Sequence, residues 1–592
     1  MAARKIIVVG GGLAGLAAVI KIAEAGGAVD LFSIVPVKRS HSVCAQGGIN
    51  AAKNLKGEGD TTWQHFDDTI YGGDFLANQT PVKAMCEAAP GIIDLLDRMG
   101  VPFNRTPEGQ LDFRRFGGTL YNRTAFAGAT TGQQLLYALD EQVRRHESEG
   151  KVKKYEGWEF LSAIIDGKGV VRGIVAMNLR TMDLQAFMAD AVILATGGVG
   201  AIFGKSTNSV VCTGSAQSAV FQQGVYYANG EFIQVHPTSI PGEDKLRLMS
   251  ESARGEGGRV WVPRNPGDKR PGRSIPESDR FYFLEEWYPK YGNLVPRDVA
   301  TRAIHKVVYQ LGLGIDGQPM VYLDLSHIDC HTLHRKLGGI LEIYQKFVGV
   351  DPCVEPMKIF PGMHYTMGGL WVDFNQMTNI PGLFAAGECE YQYHGANRLG
   401  ANSLVSCIFG GFVAGPNALQ YASSAPAPEG DGGAAAELAR QAEINKKLIE
   451  NQGGENPFKL WRELGESMTE HVTVTRYNKS IKESDEKIVE LLERYKRVNL
   501  SDKSQWANTS FAFARQLKNM LELSRTITLG AILRDESRGA HYKPDFPDRN
   551  DERFLKTTKA SFTGSVEGPR IEFEEVDTQF IKPRARRYDV AS

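Results

Sequence analysis

Residues 5–9, KIIVV, are a short apolar, β-branched run of the kind a buried parallel strand requires, and LAGLAAVIKIAEAG follows with apolar residues at helical spacing. AVDLFSI at 28–34 reads as the next strand. Two more apolar runs, DAVILATGG at 190–198 and IPGLFAAGE at 380–388, each end where a ligand-facing loop of such a sheet would begin. The stretch between, about 237 to 363, differs in character: it is rich in Arg, Pro, Gly and Trp, as in RVWVPRNPGDKRPGR, and reads as an inserted second domain. ASSAPAPEGDGGAAA at 422–436 is a small-residue linker. Beyond it, ELARQAEINKKLIEN and SDEKIVELLERYKRV combine helical periodicity with charged faces, predicting a helical region to about 538. The tail, HYKPDFPDRNDERF, reads as irregular and charged, and no solenoid repeat is present. The pattern predicts an α/β chain with segments 1–236, 237–363, 364–433, 434–540 and 541–592, in which the first and third form one split nucleotide-binding domain.

The turn after the first strand carries the chemistry. GGGLAG places glycines at 10, 12 and 15, fitting GxGxxG: Gly10 permits the tight turn, Gly12 lets backbone approach a pyrophosphate, and Gly15 lets helix pack on strand. The phosphates then meet the positive end of the helix dipole. An acidic residue usually follows the second strand to bind ribose hydroxyls, but Ser33 stands there and Asp30 comes too early, which argues against a standard NAD site more than against FAD. His41, in RSHSVCAQGG just downstream, falls where a residue touching or bonding the cofactor ring should lie.

Composition narrows the class. A length of 592 residues predicts about three to four structural units. A hydrophobic content of 42% with a net charge of −1 describes a globular chain with a large core and gives no reason to expect nucleic acid. MAARKIIVVGGG shows no cleavable signal, and apolar runs are broken well before the roughly 20 residues a membrane span needs. The expectation is a cytoplasmic chain, docked on a membrane only through partners. Seven scattered cysteines without a CxxC pair fit neither a disulfide scaffold nor an iron–sulfur ligand set, so any electron relay beyond the cofactor belongs in another subunit. His327, His331 and His334, near Asp329 and Cys330, superficially resemble metal-ligand spacing, but a solvated loop and helix start is the better reading, and no metal is expected.

Histidine- and arginine-bearing segments cluster at the joints between regions: HPT at 236–238, LMSESARGEGG at 248–258, VPRD at 295–298, HYTMGG at 364–369 and HGANRLGANSL at 394–404. Two arginines can each grip a carboxylate bidentately and histidines add hydrogen bonds, so Arg297, Arg398, His236 and His364 suit a small dianionic substrate in a domain cleft.

RSHSVCAQGG, RGEGG, HYTMGG and GANRLGANSL, in this order and at these separations, resemble the flavoprotein subunits of succinate dehydrogenase and fumarate reductase, and the match runs through ESRGAH at 536–541 into the tail. The resemblance implies a Rossmann-like FAD-binding domain with an inserted capping domain, then a helical domain and a small C-terminal domain. It implies FAD bonded covalently to His41 through the 8α-methyl group. His236, Ser250, His364 and Arg398 match the dicarboxylate-binding groups, with Ser250 replacing the more familiar threonine. Arg297 matches the proton-transfer residue, and Glu251 with Arg254 the relay that serves it. Around the cofactor, Gly10, Gly12, Gly15, Ser33, Gln46, Gly47, Gly48, Thr131, Glu388, Ser403 and Leu404 match contact positions, whereas the family's common TGDG is TGSA at 213–216, with Ser215 in place of the acid. ANSL at 401–404 is expected to open a helix whose N-terminus faces the reduced ring. The implied reaction moves a hydride from one succinate methylene to flavin N5 and a proton from its neighbour to Arg297, giving fumarate, or the reverse. The implied partners are an iron–sulfur subunit and a cytochrome b membrane anchor reaching a quinone, and SIVPVKRSHSVCAQGG resembles the bacterial menaquinone-linked, diheme branch. The implied location is the cytoplasmic face of the cell membrane. A soluble L-aspartate oxidase-like flavoenzyme shares such a fold but typically lacks a histidine at the position of His41.

Overall fold

The structure, a computed structural model, describes residues 4–242, 246–426 and 429–588; positions 427 and 428 of the linker segment lie outside the described residues. The apolar runs form one five-stranded parallel sheet, in the order Leu383–Ala385, Ala191–Leu194, Lys5–Val9, Ala28–Ser33, Val152–Glu156. In the central strand Ile6 and Val8 enter the core on one face while Ile7 and Val9 enter the core on the other. That is why the run is continuously apolar rather than alternating.

The helix Leu13–Glu24 follows the fingerprint turn, and a Cβ on Gly15 would sit 1.9 Å from the Gly10 carbonyl oxygen. Only glycine permits so close a packing of helix on turn. The same helix crosses Asn402–Ser424 at Gly411, where a Cβ would lie 2.3 Å from the Ala14 carbonyl oxygen.

The inserted segment builds a six-stranded antiparallel sheet. Its two long strands, Ile233–Ile240 and Met357–Thr366, pair with each other and carry the chain between the nucleotide-binding domain and the cap. His236 and His364 both lie within these strands. The helical region comprises Ala434–Glu450, Pro457–Val472, Asn478–Tyr495 and Thr509–Leu533.

Two expectations need correction. The tail is not wholly irregular: Lys556–Ser561 and Arg570–Glu575 form a hairpin that joins a small sheet with Tyr227–Ala228 and Gly369–Leu370. The polar composition of KTTKAS and RIEFEE conceals these strands: the first buries Thr557, Thr558 and Ala560, with Thr558 donating to Glu231, while the second is largely exposed and is held by backbone pairing. Nor are the cysteines all free. Cys330 and Cys353 form a disulfide with Cα atoms 5.5 Å apart, a pairing that no local spacing announces because the fold, not the sequence interval, brings the residues together. Of the histidine cluster, only His334 lies near the sulfurs, with its ligand atom within 4.8 Å of both; Asp329 instead caps the helix Cys330–Val348 by accepting from the Thr332 N–H. Among the described residues no helix is long and apolar enough to cross a membrane.

Candidate active site

One continuous cavity runs along the C-terminal edge of the parallel sheet. Gly10, Gly12, Ser33, His41, Gln46, Glu388, Ser403 and Leu404 all line it. Gly15, Gly47, Gly48 and Thr131, also expected as cofactor contacts, do not line it. Gly48 adopts φ +134°, with the Ala125 carbonyl oxygen 2.5 Å from where a Cβ would be, and Thr131 donates to the Gln46 carbonyl oxygen while accepting from the Ala127 N–H.

The cavity fits a dinucleotide with a flavin ring. The helix Leu13–Glu24 opens onto it with no acidic residue in its first turn and no side-chain cap, so its leading N–H groups are available to an anion; one, on Leu13, faces the Ser42 hydroxyl at 3.3 Å. A Cβ on Gly11 would meet the Val37 side chain at 2.7 Å. The helix Asn402–Ser424, whose first residues Ser403 and Leu404 line the cavity, presents a second N-terminus without an acid. That is the placement ANSL predicts for stabilising negative charge on a reduced ring. Ser33 Oγ donates to the Val35 carbonyl oxygen at 2.6 Å and remains free to accept.

His41 opens a single 3₁₀ turn, His41–Cys44. The Ser209 backbone N–H donates to its Nδ1 at 3.2 Å, and its Nε2 lies 2.9 Å from Asn208 Nδ2. The same loop serves His364, whose Nδ1 is 2.7 Å from the Thr207 hydroxyl and whose carbonyl oxygen accepts from Asn208. No sequence signal marked residues 207–209; they are polar loop residues whose partners lie more than 150 positions away.

Beside the cavity the cap and the nucleotide-binding domain close over a polar cluster. The rings of His236 and His364 are 4.9 Å apart. Arg297, first residue of the helix Arg297–His305, donates from Nε and Nη2 to Glu251 Oε2 at 2.9 and 2.7 Å. Glu251 Oε1 accepts from Arg254 Nη2 at 2.6 Å, and Arg254 Nη1 reaches the Asn293 carbonyl oxygen at 2.7 Å. Gln234 Oε1 accepts from both Arg297 Nη1 and Arg398 Nη2, at 3.0 and 2.9 Å. The Ser250 hydroxyl lies 2.9 Å from that of Ser252. The structure thus brings every predicted substrate-site residue into one neighbourhood and adds Gln234, which composition and spacing did not single out.

The cluster is electrostatically biased. Arg254, Arg297 and Arg398 oppose the single carboxylate of Glu251, leaving two positive charges in a buried site. Burial works to raise the Glu251 carboxyl, but Arg297 and Arg254 outweigh it and hold it below the usual range. Burial, then Arg297, lowers Arg398 to about 9, and the same two causes keep His236 and His364 neutral, well below the ordinary histidine value. Burial lifts Glu388 to about 7, against hydrogen bonds from the Thr366 N–H and hydroxyl. Three buried nitrogens of the cluster, His236 Nε2, Arg254 Nε and Arg398 Nε, have no hydrogen-bond partner among the described residues. Excess buried positive charge and unpaired polar atoms together describe a site completed by an anion.

The fold and cavity define an FAD-binding oxidoreductase: residues 5–404 match the FAD binding domain family, and residues 461–588 match the family described as fumarate reductase flavoprotein C-term. The chain is 63% identical to the succinate dehydrogenase flavoprotein subunit of Bacillus subtilis over 99% of both chains. It is 36% identical to the fumarate reductase flavoprotein subunit of Escherichia coli, covering 98% of this chain and 95% of the relative. A solved structure described as a quinol-fumarate reductase with menaquinol molecules superposes with a TM-score of 0.90 at 34% identity, over 99% of this chain and 100% of that one. The chain belongs to the family of succinate dehydrogenase and fumarate reductase flavoprotein subunits.

Proposed function

We propose that the chain oxidises succinate to fumarate, and that Arg297 takes the proton released from carbon. The observation that carries this is the buried pair of uncompensated positive charges, with His236 Nε2 and Arg398 Nε unpaired, set against the cofactor cavity through His364. A dicarboxylate supplies both missing negative charges and the missing acceptors.

Bound FAD supplies the two-electron acceptor. The chain's residues do the remainder. Arg398, His236, His364 and Ser250 hold the carboxylates, and neutral histidines donate hydrogen bonds without adding charge. Arg297 accepts the proton from the methylene next to the one that loses hydride. A guanidinium is ordinarily protonated, so it must first release a proton; Glu251, doubly bonded to it, is the receiver, and Arg254 on the other carboxylate oxygen extends the path.

His41 Nε2 is the atom for a covalent bond to the flavin. Nδ1 accepts from the Ser209 N–H and would keep that bond with flavin held at Nε2; attachment there would require loss of the Nε2 proton and displacement of its contact with Asn208 Nδ2. Electrons leave through an iron–sulfur subunit and a membrane anchor, in line with the quinol-fumarate reductase that the chain superposes on, and menaquinone is the acceptor its bound menaquinol favours. The same residues catalyse fumarate reduction, the activity named for the E. coli relative, and partner potentials set the direction. The chain sits on the cytoplasmic face of the membrane through those partners.

Succinate-dependent dye reduction by flavin-loaded protein tests the reading. Turnover that malonate-type dicarboxylates inhibit is expected; a fully flavinated protein inert toward succinate and fumarate overturns it.

A further inference from the structure

The far end of the cavity holds a group that neither the fingerprint nor the substrate cluster uses. His41, His364, Gly10 to Gly12 and Ser33 all line the cavity, and on the FAD reading the first two would face the ring, the glycines the pyrophosphate and Ser33 the ribose. The strand Trp158–Ile165 follows directly on Val152–Glu156, the neighbour of Ala28–Ser33, and so lies where the adenine belongs. Glu159 on this strand lines the cavity and is 4% exposed. Its Oε1 accepts from Gln516 Nε2 at 2.9 Å, whereas its Oε2 is buried without a partner. Burial raises this carboxyl to about 7. Ser215, at the same end, already accepts from Asn519 Nδ2 at 2.8 Å. Both supporting amides come from the helix Thr509–Leu533, so the helical region braces the nucleotide end of the site.

An unpartnered acidic oxygen in a buried pocket is costly unless a ligand donor meets it. We propose that Glu159 Oε2 accepts a hydrogen bond from the exocyclic amine of the FAD adenine, with Gln516 fixing the carboxylate's orientation, so that Glu159 selects adenine over bases carrying an oxygen there. This deepens the FAD reading and does not depend on the substrate assigned to the other end.

The test is equilibrium binding, followed by flavin fluorescence at about pH 8, of FAD and of its deaminated hypoxanthine analogue to flavin-free full-length chain, with His41→Ser used to keep flavin exchangeable. The expected preference for FAD is about tenfold or more, because the analogue sets an oxygen against the carboxylate. Glu159→Gln, which retains the oxygen facing Gln516 and turns an amide N–H₂ toward the base, should shrink that preference to within about twofold or reverse it. Equal affinity of the unaltered site for both flavins overturns the proposal without any Glu159 variant. An unchanged preference in Glu159→Gln also overturns it, since a purely structural role would weaken both ligands alike. Because no turnover is measured, failure here leaves the succinate reading intact, and inactivity toward succinate leaves this ratio readable.

Discussion

Arg297 is bound to Glu251 through two nitrogens on a single carboxylate oxygen, Nε at 2.9 Å and Nη2 at 2.7 Å, while Nη1 is turned away to Gln234. Both side chains are almost wholly buried, and the second oxygen of Glu251 is held by Arg254. In low dielectric such a charge-assisted pair is strong and sharply oriented. On the proposed reading, Glu251 is the proton receiver for Arg297 on one side, while Nη1 on the other meets the Gln234 oxygen that Arg398 shares.

Arg297→Lys keeps a positive charge but loses the forked contact. Turnover should fall by roughly 10²- to 10⁴-fold, the range of a lost acid–base group, with flavin content unchanged. Steady-state kinetics on matched flavin loading decide this, and near wild-type rates would exclude Arg297 as the proton carrier.

Gln234 fixes Arg297 and Arg398 relative to each other through one shared oxygen, and its amide nitrogen donates to Asn397 Oδ1 and the Arg398 carbonyl oxygen. Gln234→Leu leaves two guanidinium groups without that acceptor. An increase in KM for succinate of about tenfold or more is expected, from the usual cost of unsatisfied buried donors. Dicarboxylate binding with unaltered affinity would show that the arginines are positioned by other contacts.

His41→Ser should release flavin that wild-type protein retains through denaturation. After acid precipitation, the wild-type pellet should stay yellow and fluorescent and that of the variant should not. Complete loss of flavin from the wild type under acid would remove the tether.

Stability should peak near pH 6.5. Burial keeps His236, His364, His394 and His541 far below the ordinary histidine value, and burial with Arg123 brings His65 to about 3. The unfolded chain therefore binds these protons while the folded chain does not, and stability falls as pH drops below about 6.5, by about 1.4 kcal/mol per pH unit for each fully neutral histidine. Burial acts oppositely on Glu159 and Glu388, raised to about 7, and on Glu390, raised to about 8. These groups hold protons in the folded state that the unfolded chain has released, so their contribution is full below about 4.5 and is lost as pH rises from there to about 7 or 8; below about 6.5 the five histidines outweigh the three carboxyls. Thermal melts of the flavin-free His41→Ser chain from pH 5 to 9 check the dome; a melting temperature still climbing from pH 7 to 9 would contradict it.

The sheet and its ligand turn were legible because their causes are local. A β-branched run buried on both faces, glycines required by contacts as close as 1.9 Å, and apolar residues at helical spacing each leave a mark within a dozen positions. The motif-bearing histidines and arginines were likewise visible as residue types. Gln234, Glu159 and Asn208 were not, since a neutral amide or a single acid in a strand or loop says nothing until its partner is known. The tail hairpin and the Cys330–Cys353 pair escaped for the same reason, one being held by backbone pairing and by burial against distant residues such as Glu231, the other by a contact across 23 positions.

The amino-acid sequence by itself determined that this chain builds a nucleotide-binding sheet, because burial periodicity and glycine sterics act between near neighbours, and it displayed the histidines and arginines whose motifs resemble those of dicarboxylate flavoenzymes. Only the tertiary structure decided which charges face one another. Arg297 finds Glu251 across 46 positions, and Arg398 finds Gln234 across 164, through strands that cross between two domains. The chemistry of the site rests on those distances, which packing of the whole chain sets.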